Sequence, residues 1–326
     1  MKVLLLGSGG RESALAWGLT RSQPTTCVTL PGNPGIERIG DVIPGDPTDP
    51  QMVVSAARHV GADLVVVGPE APLVNGVGDA LRAEGFKVFG PDAAAARIEG
   101  SKAYAKELME RAGVPTGRGK AFTRPDEAVG FMDELGPPYV IKADGLAAGK
   151  GVVVTSDRDE ALEAIDERMV QGKYGEAGSI VVIEEFLDGQ ETSVIAFTDG
   201  SKVIACEPAQ DYKRVGDDDA GPNTGGMGSY SPVPACPPEV LDQIVGEVIE
   251  PLVAATAAAG APFVGALYAG LALTTKGPRV IEFNARFGDP ETQALLPRLE
   301  SNHAEVCMAC ASGELDGTKL QWSPER

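Results

Sequence analysis

The chain is short of positive charge and almost without histidine. Its 326 residues carry 28 lysines and arginines against 47 aspartates and glutamates, a formal net charge of −19. Nucleic acid and anionic membranes both need a basic footprint, so neither is expected as a partner. Small anionic ligands stay open, provided cations gather locally. Only two histidines occur: His59 near a helix end in SAARHVGADL, and His303 near a helix start in SNHAEV. Both read as structural, and histidine acid–base catalysis is not expected. The five cysteines are odd in number and scattered, the usage of reduced thiols in a cytoplasm. Cys307 and Cys310 form a CxxC without a second pair in a helical-looking segment, which reads as helix packing rather than zinc. No apolar run is long enough to cross a bilayer. The opening MKVLLLGSGG has too short an apolar stretch for a secretory signal. Internal repeats and low-complexity tracts are lacking.

What is present is a 43% hydrophobic, glycine- and proline-rich composition, which suits a loop-rich α/β protein. The length allows two or three compact units. Over the first hundred residues strands and helices alternate: KVLLLG then SGGRESALAWGL, TTCVTLPGNPG, DPQMVVSAARHVGADLVVVGPEAPL, and GVGDALRAEGFKVFGPD. That order implies a doubly wound parallel sheet, whose ligands bind at the carboxyl ends of the strands. GSGG, PGNPG and GPEAPL sit at three such ends and should line one crevice. A dinucleotide fingerprint would need glycine where Glu12 stands and an acidic end to the second strand, where LPGNPG stands. The glycine turn can still receive a phosphate, but a hydride-transfer enzyme is a minor alternative.

Beyond EGSKAYAK the texture changes. VIKADGLAAGKGVVV places a glycine-rich loop between two strands. It is not a Walker A loop, because three residues rather than four separate Gly145 from Gly149-Lys150, and Gly151 stands where Ser or Thr is required. SIVVIEEFLDGQETSVIAFTDG reads as strand, hinge and strand. FVGALYAGLALTTKGPRVIEFNARFGD reads as a hairpin turning at TTKGPR, followed by helix.

Three elements carry chemistry. Lys102, Lys142 and Lys150 are cations near the glycine loop. IEEFLDGQE holds an acidic pair, an apolar Phe186-Leu187 and then Glu191. VIEFNARFGDPE sets Glu282, Asn284 and Arg286 two apart, hence on one face of a strand. A carboxylate and an amide oxygen suit Mg²⁺ beside phosphates, and a planar guanidinium suits a phosphorylated carboxylate. Singly, each motif has a bland explanation: a solvated helix face for Lys102 and Lys106, strand-end charges for Glu184 and Glu185, a surface loop for GPNTGGMG. Their joint order reverses that reading for the lysines, the hinge and the EFN strand, and in part for Asp211 and Lys213.

In order, GGRE, PGNPG, GPEAPL, EGSKAYAK, VIKADGLAAGKGV, IEEFLDG, QDYKR, GPNTGGMG and IEFNARFGDPETQ resemble the glycinamide ribonucleotide synthetase (phosphoribosylamine–glycine ligase) family of the ATP-grasp superfamily, from residue 1 to about 315. The resemblance implies an N-terminal doubly wound parallel-sheet (pre-ATP-grasp) domain at 1–101. A two-lobed ATP-grasp domain of mixed α/β and α+β character follows at 102–315, with a mobile lid lobe at about 121–188. The family usually continues for about another hundred residues, so 316–326 reads as the start of an absent C-terminal domain. The face this leaves is expected to be covered by dimerisation or association.

The activity implied is ATP-dependent ligation of glycine to 5-phosphoribosylamine through glycyl phosphate in cytoplasmic purine biosynthesis, with Mg²⁺ or Mn²⁺. By the resemblance, Lys102, Lys142, Gly145, Gly149, Lys150 and Gly151 hold ATP phosphates. Glu184, Glu185, Phe186 and Leu187 cradle adenine, and Glu191 takes the ribose. Glu282 and Asn284 ligate metal, and Arg286 stabilises the acyl phosphate. Asp211, Lys213, Asn223, Thr224, Gly225 and Gly226 border the glycine pocket, with Asp289, Pro290 and Glu291 also in the substrate region. Gly9, Gly10, Arg11, Glu12, Pro69 and Glu70 receive phosphoribosylamine. Ser13 and Tyr212 stand where the family often has histidine. The alternatives are an ATP-grasp ligase for another amine and a non-catalytic nucleotide-binding remnant.

Overall fold

The computed structural model describes residues 1–22, 24–146, 151–217 and 220–324. The first sheet is parallel and five-stranded, β1 (Lys2–Gly7), β2 (Thr26–Pro31), β3 (Asp41–Val42), β4 (Leu64–Val67) and β5 (Lys87–Phe89), in the order β3-β2-β1-β4-β5. Val3 to Leu6 and Leu64 to Val67 are all buried, which is why these strands read as continuous apolar runs rather than alternating ones. The strand order reverses beside β1, so its carboxyl end opens a crevice. There Gly32 N–H donates to Gly7 O (3.1 Å) and Gly68 N–H to Leu6 O (3.0 Å), which brings the three expected strand-end loops together.

The second sheet, β6 (Gly119–Phe122), β7 (Tyr139–Ala143), β8 (Val152–Thr155) and β9 (Val181–Glu185), has the order β6-β9-β7-β8 and is antiparallel. Helices Pro125–Leu135 and Arg158–Met169 cover one face. Nine buried apolar residues, among them Met132, Ile141 and Ile183, form a cluster drawn from residues 128–183 alone. The third sheet pairs β10 (Gln190–Asp199) and β11 (Val203–Ala205) with β16 (Val264–Thr274) and β17 (Gly277–Asn284). Between them lie short β12 (Gln210–Asp211) and β13 (Arg214–Gly216), β14 (Ala220–Asn223) and β15 (Ser229–Tyr230), paired as β12–β15 and β13–β14. The expected hinge after IEEF is thus a crossing from the second sheet to the third.

The third sheet shares its core with the first: Leu6, Val67, Met109, Leu267 and Phe283 belong to one buried cluster. Among the described residues no helix is long and apolar enough to cross a membrane. Cys307 and Cys310 are buried in helix His303–Ser312, so the CxxC packs a helix as expected. His303 is buried edge-on against Phe197 and Phe287, and burial lowers its pKa to about 4.

Candidate active site

A cavity of about 270 Å³ lies where the second sheet meets the third. It is lined by Lys102, Lys142, Gly145, Gly151, Glu184, Glu282, Asn284, Arg286, Glu70 and Glu99. The sequence named all of these except Glu99.

The lysines are placed by local structure. Helix Lys102–Ala112 begins at Ser101, whose hydroxyl accepts from Tyr104 N–H (3.1 Å). Asp144, just past β7, accepts from Ala103 N–H (3.0 Å) and from the Ser101 hydroxyl (3.1 Å). A carboxylate at a helix N-terminus satisfies orphan donors and complements the dipole, so this contact ties the glycine loop to the helix that carries Lys102. Lys102 Nζ in turn donates to Gly145 O (3.0 Å). Burial lowers the Lys102 pKa, against the pull of the Glu282 carboxylate. Gly149 and Lys150 lie outside the described residues.

Lys142 projects from β7. Its Nζ donates to Glu184 Oε2 (3.0 Å) and to Ile281 O on β17 (2.9 Å). Glu184 also meets Lys106 (3.3 Å). Burial works to raise the Glu184 carboxyl, but Lys142 and Lys106 outweigh it and hold the pKa below the usual value. Lys106 is buried and also bonds Thr116 Oγ1 and Gly117 O (3.0 Å each). The solvated-face reading of Lys106 therefore fails: one helical turn after Lys102, it faces inward.

Glu282 and Asn284 are on β17, which ends at Asn284. Arg286 is two residues beyond the strand rather than on it, yet still lines the same cavity. Burial would raise the Glu282 pKa, but Lys213, Lys142, Lys102 and Arg286 hold it lowered, so the carboxylate is kept ionised. Arg286 contacts Glu70 (3.3 Å) and Glu99 (2.9 Å). Despite burial, these two carboxylates raise its pKa.

The residues around QDYKR are set apart from this cavity's lining but joined to it electrostatically. Lys213 Nζ meets Glu191 (3.1 Å), and Lys213 is the cation that acts most on Glu282. Burial raises the Asp211 carboxyl to about 6, with Lys213 opposing and Glu291 and Glu191 reinforcing. Glu291 is buried and accepts from Ser193 Oγ (3.0 Å), which contacts Tyr268 OH (2.9 Å). Thr224 N–H donates to Lys213 O (2.6 Å). Asn223 pairs by its backbone with Arg214. Gly226 has φ +110°, and a Cβ there would lie 2.6 Å from Pro290 Cδ, so this crossing needs glycine. Gly225 is exposed. Asp289 accepts from Gln293 Nε2 (2.6 Å). Tyr212, in the family's histidine position, is exposed and stacks on Tyr230.

At the first sheet's crevice, Glu12 is turned inward. It is buried, accepting from Gly9 N–H (2.6 Å) and Arg11 Nε (2.6 Å). A Cβ on Gly7 (φ +122°) would come within 2.6 Å of Glu12 Cγ. The glycine turn thus makes room for a carboxylate that caps its own helix. Arg11 Nη1 donates to Phe287 O (3.2 Å). Ser13 Oγ receives Asn33 Nδ2 (3.0 Å). Gly9, Gly10, Pro69 and Glu70 are at least partly exposed on the same rim.

Glu185, Phe186, Leu187 and Glu191 do not line the cavity. Phe186 is exposed, and Glu185 accepts from Arg118 N–H (2.9 Å). The residues missed by sequence reasoning are Glu99, Lys106, Ser193 and Tyr268. Glu99 opened a quoted motif, and Lys106 follows Lys102 at helical spacing, so both left a signal. Ser193 and Tyr268 are ordinary strand positions and left none.

An antiparallel lobe set against a second sheet, with Lys142 from the lobe, Lys102 from the helix beside it and a Glu-x-Asn-x-Arg run from the second sheet and its end converging on one cavity, defines an ATP-grasp enzyme. Models of the phosphoribosylglycinamide synthetase N domain and ATP-grasp (A) domain match residues 1–99 and 100–292, and the chain belongs to that family. Phosphoribosylamine–glycine ligase of Rhizobium meliloti is 50% identical over 326 residues, covering 100% of this chain and 77% of the relative. That of Streptomyces coelicolor is 51% identical over 327 residues, covering 100% and 76%. The chain thus spans about three quarters of the length of these relatives. The crystal structure of phosphoribosylamine–glycine ligase from Thermotoga maritima superposes with a TM-score of 0.83 at 33% identity, covering 96% of this chain and 76% of that one. A biotin carboxylase domain from Hydrogenobacter thermophilus, solved with MgADP and bicarbonate, shares the fold at 19% identity and a TM-score of 0.74.

Proposed function

We infer that this chain joins glycine to 5-phosphoribosylamine with cleavage of ATP, through glycyl phosphate, releasing glycinamide ribonucleotide, ADP and phosphate. The observation that carries this reading is the convergence of Lys102, Lys142, Glu282, Asn284 and Arg286 on one cavity in a chain of this family.

The chemistry is largely positioning and charge neutralisation. Lys102 and Lys142 meet the ATP phosphates. Lys142 is already aimed by Glu184 and Ile281 O, so little side-chain ordering is left for binding. The lobe at about 121–188 closes as a lid and excludes water from the acyl phosphate. Arg286 receives the charge that develops on glycyl phosphate, and Glu70 must yield part of its contact as that anion arrives. Asp211 and Lys213 border glycine, whose ammonium suits the carboxylates of Asp211 and Glu291. Glu191 takes the ribose hydroxyls, and Glu185 to Leu187 the adenine edge. Gly9, Gly10, Arg11, Pro69 and Glu70 receive phosphoribosylamine. Glu12 acts there by holding the turn.

The donor set fits a hard divalent cation. Glu282 is ionised, Asn284 adds an amide oxygen, and among the described residues no cluster of three or more His, Cys, Asp or Glu stands ready to hold a metal. Mg²⁺ is bound in this way, by one or two protein oxygens with substrate phosphates and water; Mn²⁺ takes the same donors. Such an ion would neutralise phosphoryl charge. Five free, buried cysteines suit a cytoplasmic site.

The test is phosphate release from ATP measured with glycine and phosphoribosylamine, each omitted in turn. Release that requires both supports the ligase. Release with glycine and a different amine would point to another ligase. Failure to release phosphate, with ATP still bound, would leave a nucleotide-binding remnant.

A further inference from the structure

Glu99 has no part in the proposed reaction, yet it is a buried carboxylate at the site, with 8% exposure. It lies in the last turn of helix Ala93–Gly100 and reaches three consecutive residues at the end of β17. Its Oε2 accepts from the Ala285 backbone N–H (2.7 Å). Its Oε1 meets Arg286 Nη2 (2.9 Å). The Asn284 amide, in the orientation that satisfies its neighbours, donates its nitrogen to Glu99 Oε1 (3.2 Å) and to Phe283 O (3.1 Å).

An asparagine amide has a donor end and an acceptor end of nearly the same shape, and only its partners decide which way it faces. With the nitrogen claimed by Glu99 and Phe283 O, the oxygen is the end left for the cavity that Asn284 lines. The same carboxylate pins Arg286. We propose that Glu99 is a positioning residue: it sets the Asn284 amide with its oxygen toward the cation and aims Arg286 toward the acyl phosphate. This inference rests on the assignment of Glu282 and Asn284 to the metal. Outer-sphere partners of this kind commonly change metal affinity or activity by roughly 10- to 100-fold when removed.

Glu99→Gln is the sharpest test. A carboxylate offers about four lone-pair sites and no hydrogen, whereas glutamine offers one acceptor oxygen and an NH₂. Whichever way that amide turns, its NH₂ faces a donor, either Ala285 N–H or the Asn284–Arg286 pair. In the second case Asn284 must turn its oxygen away from the cavity. We expect Mn²⁺ affinity of the ADP-bound chain, read by electron paramagnetic resonance, to fall at least tenfold. In the ligase assay kcat should fall at least tenfold, while KM for ATP changes less than threefold. Glu99→Asp keeps the charge and should recover part of both losses. A double-mutant cycle with Asn284→Asp adds a readout that a packing role would not move. The NH₂ introduced by Glu99→Gln can donate to the new carboxylate, so Asn284→Asp should raise Mn²⁺ affinity more in the Glu99→Gln background than in the native one.

Glu282→Ala is the control. If it loses Mn²⁺ binding while Glu99→Gln binds and turns over within twofold of wild type, the Glu99 proposal is overturned and the metal assignment stands. If Glu282→Ala and Asn284→Ala both bind Mn²⁺ like wild type, the metal assignment itself fails and the proposal with it. Should Glu99→Gln not fold, Glu99→Asp decides alone: a threefold or greater loss of Mn²⁺ affinity supports the proposal, and wild-type affinity overturns it.

Discussion

The lobe built on β6 to β9 and the body built on the first and third sheets are each held by apolar packing of their own, and they meet through contacts of another kind. The body has two apolar clusters, one running from Leu4 and Val67 through Met109 to Leu267 and Phe283 and the other from Val3 and Leu5 through Phe197 to Leu296. The lobe has its own, from Ala128 to Ile183, and the two larger clusters draw no member from residues 119–185. Where lobe and body touch, polar contacts cross between them: Lys142 with Ile281 O, Lys106 with Glu184, Asp144 with Ser101 and Ala103, Lys102 with Gly145 O. Apolar burial is roughly proportional to area and resists separation. A few hydrogen bonds can be exchanged for bonds to phosphates or water at small net cost. A seam of charges suits the lid motion proposed for this lobe.

The largest effect that would break this comparison is at the seam on the body side. Glu282→Ala removes the proposed oxygen ligand rather than core volume, so kcat should fall about 10³-fold while the melting temperature stays within a few degrees. Unchanged turnover at saturating Mg²⁺ would strip Glu282 of its role.

Arg286→Ala should lower kcat by roughly 10²- to 10³-fold, as expected for a cation aimed at developing charge, with ATP affinity altered far less. Calorimetric ATP binding alongside steady-state kinetics separates the two. Collapse of affinity with kcat preserved would make Arg286 a ground-state binder.

The two cores can be probed as a pair. Ile183→Ala in the lobe and Leu267→Ala in the body should each cost about 3 kcal/mol locally. Hydrogen exchange should show Ile183→Ala loosening the lobe and raising KM for ATP, while the body keeps its protection. Leu267→Ala should lower protection across both the first and third sheets. Equal loosening everywhere in both variants would mean that lobe and body unfold as one unit.

The smallest effect is a matter of pH. Asp211 is raised to about 6 by burial, so it is charged above that pH and protonated below it. If its carboxylate receives the glycine ammonium, kcat/KM for glycine should fall about tenfold per unit as pH drops below 6. Asp211→Asn should flatten that acid limb and lower the plateau. An acid limb unchanged in Asp211→Asn would assign it to another group.

Much of the site was legible because its chemistry is local in sequence. Residues two apart on a strand share a face, so the Glu282 carboxylate and the Asn284 amide could be placed in one cleft from spacing alone; Arg286, beyond the end of β17, reaches the same cavity without that periodicity. VIKADG set Lys142 on a strand beside a glycine loop by the same periodicity. The parallel first sheet was legible in the alternation of strands and helices over the first hundred residues.

What the sequence by itself determined, then, is the order of elements, the family through nine motifs in register, and the facing of residues within each strand. Tertiary structure alone decided which charges neutralise one another. Glu12 folds back to cap its own helix because the glycine turn leaves room for its carboxylate. Lys106 turns inward because Glu184, from a strand almost eighty residues on, is there to pair with it. Glu99 clasps Asn284, Ala285 and Arg286 across more than 180 residues. A buried charge is tolerable only beside its partner, and partners are chosen by proximity in space, which no local pattern of side chains records.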